Sequence, residues 1–328
     1  MEILFKFIPY YLVHYTAYAI YIVLAIFLLR KISKNIKNNV TRDLSNQIIV
    51  ITGANSGIGF ETAKNCVQHG AKVVLACRDE ITAQQSCLQL NSIKKKSTEF
   101  IKLDLSDSSS IRQFANIFKK KYSKLDILVN NAGVMAIPNR CLTKEGFEQT
   151  IGVNYFGHFL LTQLLLDHLK LSSQFRVINV SSVAHLAGTI DFQDLHFSKR
   201  FYHGMLAYFQ SKIANILFTI SLQKKFDDQK LSGLSVSLHP GIVQTNLFRH
   251  LRGLTKVLFK LISPLFNFIY NNSFEGAQTT LYCIHQNYFK LEKGAYYSDC
   301  QKQKRLNNCI TPENADILWN LSMKIFGL

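Results

Sequence analysis

The run Thr52-Gly53-Ala54-Asn55-Ser56-Gly57-Ile58-Gly59 sets three glycines in seven positions between a β-branched stretch and an amphipathic one. A strand that turns at once into a helix needs backbone conformations that a Cβ resists, so this junction marks where a first strand ends and a first helix begins. The pattern continues down the chain. Residues 47–52, 72–77, 98–104, 126–130, 176–181 and 234–239 read as strands buried on both faces, and 58–69, 80–91, 108–122, 146–170 and 205–226 read as helices. Such alternation requires right-handed crossovers and predicts an α/β fold with a doubly wound parallel sheet. Ligands of such a sheet gather at the carboxyl ends of its strands, and the glycine turn lies at one of those ends. There the backbone amides and the helix N-terminus can hold a pyrophosphate.

The 328 residues, 48% of them hydrophobic, are enough for one large α/β core with an appendage, and no internal repeat divides the chain. Cys66, Cys77, Cys87, Cys141, Cys283, Cys300 and Cys309 are odd in number and lack Cys-x-x-Cys spacing, so no metal site or disulfide framework is indicated. They read as reduced thiols, with a Cys300–Cys309 bridge left open. The balance of 38 basic to 21 acidic residues gives +17, which admits nucleic acid, an anionic membrane or a phosphorylated ligand as partner. Lys94-Lys95-Lys96, Lys119-Lys120-Lys121 and Lys224-Lys225 stand near helix ends or loops without interleaved aromatics, which argues against nucleic acid.

Residues 10–29 contain no Asp, Glu, Lys or Arg and end at Arg30-Lys31. About 20 apolar residues cross a bilayer core as a helix, and no small-x-small exit follows, so an uncleaved N-terminal transmembrane helix is expected. Residues 1–43 then form the membrane anchor with its basic linker, and 44–328 the catalytic domain. Arg30, Lys31, Lys34, Lys37 and Arg42 all lie downstream of the apolar run, which places the domain on the cytosolic side. A buried or interfacial helix is the other reading of this segment.

Tyr208 and Lys212 stand one helical turn apart in Ala207-Tyr208-Phe209-Gln210-Ser211-Lys212. Residues i and i+4 share a face, so an ammonium below the phenol would stabilise its anion and bring its acidity toward neutral pH. Alone, such a pair is often an aromatic and a cation on a helix surface. Here it is accompanied, in consistent order, by the glycine turn, Asn130-Asn131-Ala132-Gly133, Asn154, Ser182 and His239-Pro240-Gly241. With these motifs the chain resembles the short-chain dehydrogenase/reductase family. The resemblance implies a Rossmann-type fold and a nicotinamide dinucleotide as cofactor. It assigns Asn154, Ser182, Tyr208 and Lys212 to catalysis. It assigns Gly53, Asn55, Ser56, Gly57, Ile58, Gly59, Arg78, Asp104, Leu105, Asn131, Ala132, Gly133, Pro240, Gly241 and Thr245 to cofactor binding, together with Tyr208 and Lys212. His158 and His185 read as packed or cofactor-adjacent residues, and no metal is needed.

After the second strand, where a carboxylate would select the unphosphorylated dinucleotide, this chain has Cys77 followed by Arg78, a partner for a 2′-phosphate. NADP(H) is therefore expected, with Asp79 weighing against it. Asn179-Val180-Ser181-Ser182-Val183-Ala184-His185, Ser211-Lys212-Ile213-Ala214-Asn215 and the stretch from Glu275 to Cys283 resemble the microsomal retinol dehydrogenase branch. That likeness implies an endoplasmic reticulum membrane and a lipophilic aldehyde or its alcohol as substrate, retinal among them. A steroid or lipid ketone reductase, or a silent NADPH-binding scaffold, are the alternatives. The apolar stretch 251–270, carrying Lys256 and Lys260, lies within a segment near 246–272 that is expected to cap the substrate at the membrane surface.

Overall fold

The computed structural model describes residues 38–241, 272–304 and 307–328. The apolar run 10–29, Thr245 and nearly all of the expected lid fall outside the described residues, and within them no helix is long and apolar enough to cross a membrane. The sheet has eight strands in the order β3-β2-β1-β4-β5-β6-β7-β8. They are β1 Ile48–Thr52, β2 Lys72–Cys77, β3 Thr98–Lys102, β4 Ile127–Asn130, β5 Phe175–Val180, β6 Gly233–His239, β7 Tyr296–Ser298 and β8 Gln301–Gln303. Every neighbouring pair is parallel except β7 with β8. The expected doubly wound parallel sheet is therefore present, extended by a short antiparallel edge.

Among the described residues seven helices cover it: α1 Gly57–Gln68, α2 Glu80–Ile93, α3 Ser108–Lys121, α4 Gly157–Lys170, α5 Gly204–Asp228, α6 Ser273–His285 and α7 Pro312–Phe326. One face packs Ile49, Ile51, Val73 and Leu75 against Ala63, Val67, Leu90 and Ile284, under α1, α2 and α6. The other packs Val50, Leu128 and Val177 against Phe114, Phe159, Leu217 and Trp319, under α3, α4, α5 and α7. Alternate residues of β1 thus feed opposite cores, as the period-2 geometry of a strand requires. The chain leaves β1 for β2 and β3 on one side, then crosses to β4 on the other. The crevice lies at this reversal, beyond Thr52 and Asn130.

Two sequence-based expectations need correction. The strand read as 98–104 is not buried on both faces: β3 is the outermost strand, with Glu99 and Phe100 half-buried and Lys102 exposed. The helix read over 146–170 does not begin at Gly146, whose φ of +81° is incompatible with a right-handed helix. Glu148 instead caps a short turn, Gln149–Ile151, by accepting from the amides of Thr150 and Ile151, both at 2.9 Å. Gly152–Phe156 is π-helical, and only Gly157 begins α4. All seven cysteines stand unpaired, Cys300 and Cys309 included.

The base of the sheet is tied together by polar contacts. An extended strap leads to β1, with the amide of Asn38 on the Gln278 side chain at 3.1 Å and that of Arg42 on His285 Nδ1 at 3.1 Å. Arg176, at 2% exposure, donates to the carbonyls of Cys283 and Ile284, satisfying groups that the end of α6 leaves open. Burial pushes its pKa down to about 9. Opposite this base, α4 meets the cleft wall at Gly157, where a Cβ would lie 2.5 Å from the Leu105 carbonyl oxygen. Gly157→Ala should lose about 1–3 kcal/mol to overpacking, more than the ~1 kcal/mol that alanine gains in a helix. Urea unfolding measures this, and unchanged stability would mean that the wall moves freely.

Candidate active site

A cleft of about 750 Å³ opens at the carboxyl ends of the strands, lined from Gly53 at the end of β1 to Gly241 after β6. Its floor begins at the glycine turn. Gly53 holds φ at +66°, a left-handed conformation that lets β1 turn directly into α1. A Cβ on Gly59 would stand 2.4 Å from the Gly53 carbonyl oxygen, so the turn closes only without one. Ser56 precedes α1 without using its side chain as a cap. The first amides of α1 are thus left open toward the cleft, a fit for an anionic phosphate.

Thr52 joins the two halves of the floor. Its hydroxyl oxygen accepts from the amides of Asn131 and Ala132, both at 2.9 Å, and its carbonyl accepts from Asn131 Nδ2 at 2.8 Å. Asn131 therefore fastens the end of β4 to the end of β1. Deeper in the sheet, Asn130 Nδ2 donates to Asn179 Oδ1 at 2.8 Å, and Asn179 donates to Thr219 at 2.9 Å. These bonds satisfy polar groups that would be costly to bury alone.

At one end of the cleft lie Cys77, Arg78, Asp79, Asp104 and Leu105. Burial pushes the Cys77 thiol up to about 12, so the residue that ends β2 is neutral. Arg78 is exposed beside it. The Asp79 carboxylate is occupied in capping α2, accepting from the Thr82 amide at 2.8 Å and its hydroxyl at 2.6 Å. Asp104 similarly holds its own turn through the amide of Ser106 at 2.9 Å.

At the other end, Tyr208 and Lys212 on α5 meet Ser182, which follows β5. Lys212 Nζ lies 5.4 Å from the centre of the Tyr208 ring and donates to the Val180 carbonyl at 2.9 Å. Gly133 packs beside it: a Cβ there would be 3.8 Å from Lys212 Nζ and 3.3 Å from Asn154 Oδ1. Asn154 lies wholly buried behind the cleft. Its Oδ1 accepts from the Val134 amide at 2.8 Å, and its Nδ2 donates to the Val134 carbonyl and Ser211 Oγ, both at 3.0 Å. Ser181 is turned away, donating to the Lys212 carbonyl at 2.8 Å. His185 Nδ1 holds the Ser182 carbonyl at 2.7 Å.

The pair converges as helical spacing dictates, but its electrostatics differ from expectation. Lys212 was expected to stabilise the Tyr208 phenolate and bring its acidity toward neutral pH. Burial instead pushes that phenol up to about 12, opposed by a hydrogen bond from Ser182. Burial also pulls Lys212 down to about 8. Removal from water disfavours both ions, and it is the dominant influence on each.

The cleft also contains residues that motif spacing did not single out. Val134, Met135, Ala136, Val183 and Met205 give the Tyr208 end an apolar wall. Met205 precedes Tyr208 by one helical turn, a spacing that could have revealed it, whereas the 134–136 segment carries no motif of its own. Thr52 was legible only as the last residue before Gly53. Pro240 and Gly241 line the cleft. His239 lines it too, pushed down to about 4 by burial.

A family model described as short chain dehydrogenase matches residues 47–253. Retinol dehydrogenase 12 of Homo sapiens is 43% identical over 286 residues, covering 87% of this chain and 88% of the relative. Retinol dehydrogenase 11 of Homo sapiens is 41% identical over 290 residues, covering 88% of each. Among solved structures, an uncharacterized protein from Mycobacterium paratuberculosis superposes with a TM-score of 0.72 at 34% identity, covering 88% of this chain and 96% of that one. With this fold, this cleft and these relatives, the chain belongs to the short chain dehydrogenase family, in its retinol dehydrogenase branch.

Proposed function

We propose that the protein is a membrane-anchored, NADP(H)-dependent oxidoreductase that interconverts retinal, or a similar lipophilic aldehyde, with its alcohol. The observation that carries this reading is the meeting of Tyr208, Ser182 and Lys212 beside an apolar wall at one end of a dinucleotide-sized cleft. The relatives named retinol dehydrogenase favour a retinoid. When bound, the dinucleotide supplies or accepts the hydride.

This chain's residues do the rest. In reduction, the Tyr208 Oη–H bond breaks and its proton passes to the substrate oxygen as the carbonyl carbon gains hydride. Ser182 donates a hydrogen bond to the same oxygen and fixes its distance from Tyr208. A phenol pushed up to about 12 keeps its proton until alkoxide charge develops, which suits the reductive direction. Lys212 would hold the cofactor ribose, and Asn154 keeps the Val134 loop and the Ser211 hydroxyl in register beside it. Val134, Met135, Ala136, Val183 and Met205 offer an unhydrated surface to a long hydrocarbon chain.

The preference for NADP(H) is supported by a neutral Cys77, an exposed Arg78 and an Asp79 committed to its cap. A carboxylate facing the ribose would repel a 2′-phosphate, whereas a guanidinium binds one through charge-assisted bonds. The cytosolic domain, the anchor at 10–29 and the lid near 246–272 belong to the same proposal, supported by apolar run length and flanking charge.

Membranes bearing the protein, assayed with NADPH and NADH on retinal, medium-chain aldehydes and keto-steroids, test the substrate class directly. Preference for a keto-steroid would replace the aldehyde assignment. Tyr208→Phe should lower turnover at least about a hundredfold while leaving NADPH binding measurable. Arg78→Ala should weaken NADPH by about tenfold or more and NADH little, and equal losses for both would remove Arg78 from phosphate recognition. The reduction rate should decline as pH rises through about 8, where Lys212 loses its charge. A rate level to pH 10 would exclude that charge from the mechanism.

A further inference from the structure

His158 takes no part in the chemistry above, yet it is buried to 2% exposure between two elements that do. It sits in the first turn of α4, directly after the π-helical segment that carries Asn154. Its Nδ1 stands 3.0 Å from the Asn154 carbonyl oxygen and its Nε2 2.9 Å from the Thr52 hydroxyl. A carbonyl can only accept, so Nδ1 carries the hydrogen of the ring. In a neutral imidazole Nε2 is then an acceptor, and the Thr52 hydroxyl donates to it.

This arrangement closes the count at Thr52. The hydroxyl oxygen already accepts the amides of Asn131 and Ala132 at 2.9 Å. Its single hydrogen goes to Nε2 at 2.9 Å rather than to the Val129 carbonyl at 3.4 Å. A charged ring would bring a third donor to an oxygen with two lone pairs. Burial and the nearby Lys212 charge act in the same direction, pushing the His158 pKa down to about 4.

We propose that His158, held as the neutral Nδ1–H tautomer, is a positioning residue that clamps the Asn154 turn to the Thr52–Asn131–Ala132 floor of the cleft. The π-helical segment that carries Asn154 is a single turn inside a longer helix, and the imidazole adds a side-chain bond from its Asn154 carbonyl to the end of β1. The floor beneath the cofactor and the buried asparagine beside Lys212 thereby move as one unit. Its importance for cofactor binding rests on the reading of the cleft as a dinucleotide site, whereas the tautomer does not.

The first test is nitrogen-15 NMR of histidine-labelled full-length protein in detergent micelles without cofactor, with His158 assigned by its loss in His158→Gln. The expected signal is a neutral ring protonated at Nδ1 and unchanged from pH 6 to pH 8. A ring protonated at Nε2, or a charged ring at pH 7, overturns the proposal. The second test is NADPH affinity followed by fluorescence, with thermal melting recorded for each variant. His158→Leu should weaken binding about tenfold by removing the bond to the Asn154 carbonyl and leaving the Thr52 hydroxyl only the longer contact to the Val129 carbonyl at 3.4 Å. His158→Gln, whose side-chain oxygen can accept from Thr52, should recover most of that loss. Thr52→Val combined with His158→Leu should bind no more weakly than the poorer single variant, because both break one linkage. Additive losses, or no recovery with glutamine, count against the clamp. If His158→Leu does not fold, the tautomer and the glutamine variant decide the question. Wild-type protein that shows the tautomer but binds no NADPH would refute the cofactor assignment and leave the clamp standing.

Discussion

Two parallel strands that leave a sheet in opposite directions cannot be joined by a turn, so their ends part and expose backbone groups to the crevice between them. In this protein those ends are Thr52 and Asn130, and one hydroxyl bridges them. Thr52 takes up the amides of Asn131 and Ala132, while the Asn131 side chain returns to the Thr52 carbonyl. Without those bonds the Ala132 amide and the Asn131 side chain would lose the partners that tie them to β1, beside the point where Gly59 packs on Gly53. The glycine turn, the floor of the cleft and the placement of Gly133 beside Lys212 all follow from this join.

Burial then governs the chemistry. Tyr208, Lys212, His158 and His239 are removed from water, and each is shifted toward its neutral form. The phenol therefore holds its proton at neutral pH, while the lysine lies close to the pH at which its charge is lost. The apolar residues from Val134 to Ala136, with Val183 and Met205, form the surface an uncharged substrate would meet.

The remainder of the domain holds this site still. α7 covers the face formed by α4 and α5, where Trp319 meets Phe159 at 5.2 Å and the Tyr155 hydroxyl meets Ser322 at 2.6 Å. At the base, Arg176 closes the last carbonyls of α6, and the strap beginning at Asn38 runs along the same helix. The strap thus follows α6 from Gln278 to its last residue, His285.

Much of this was written in local pattern. β-branched runs alternating with amphipathic stretches specified six parallel strands and most of the helices, because burial on two faces and a 3.6-residue period leave different marks on a sequence. The glycine turn, Tyr208 with Lys212, and Asn131-Ala132-Gly133 were legible because each is a short segment whose chemistry depends on neighbours in the chain. β7 and β8 were not legible, since three-residue strands carry too little alternation to be seen. Nor was the π-helical break before Gly157, which arises where the Asn154 side chain bonds the Val134 loop and the Gly146 turn delays the helix. The tertiary structure alone decided the acidities and the apolar wall, because desolvation depends on every element packed around a group. It also decided the role of His158, whose partners at Thr52 and Asn154 lie on a strand and a turn that meet only when the sheet is assembled.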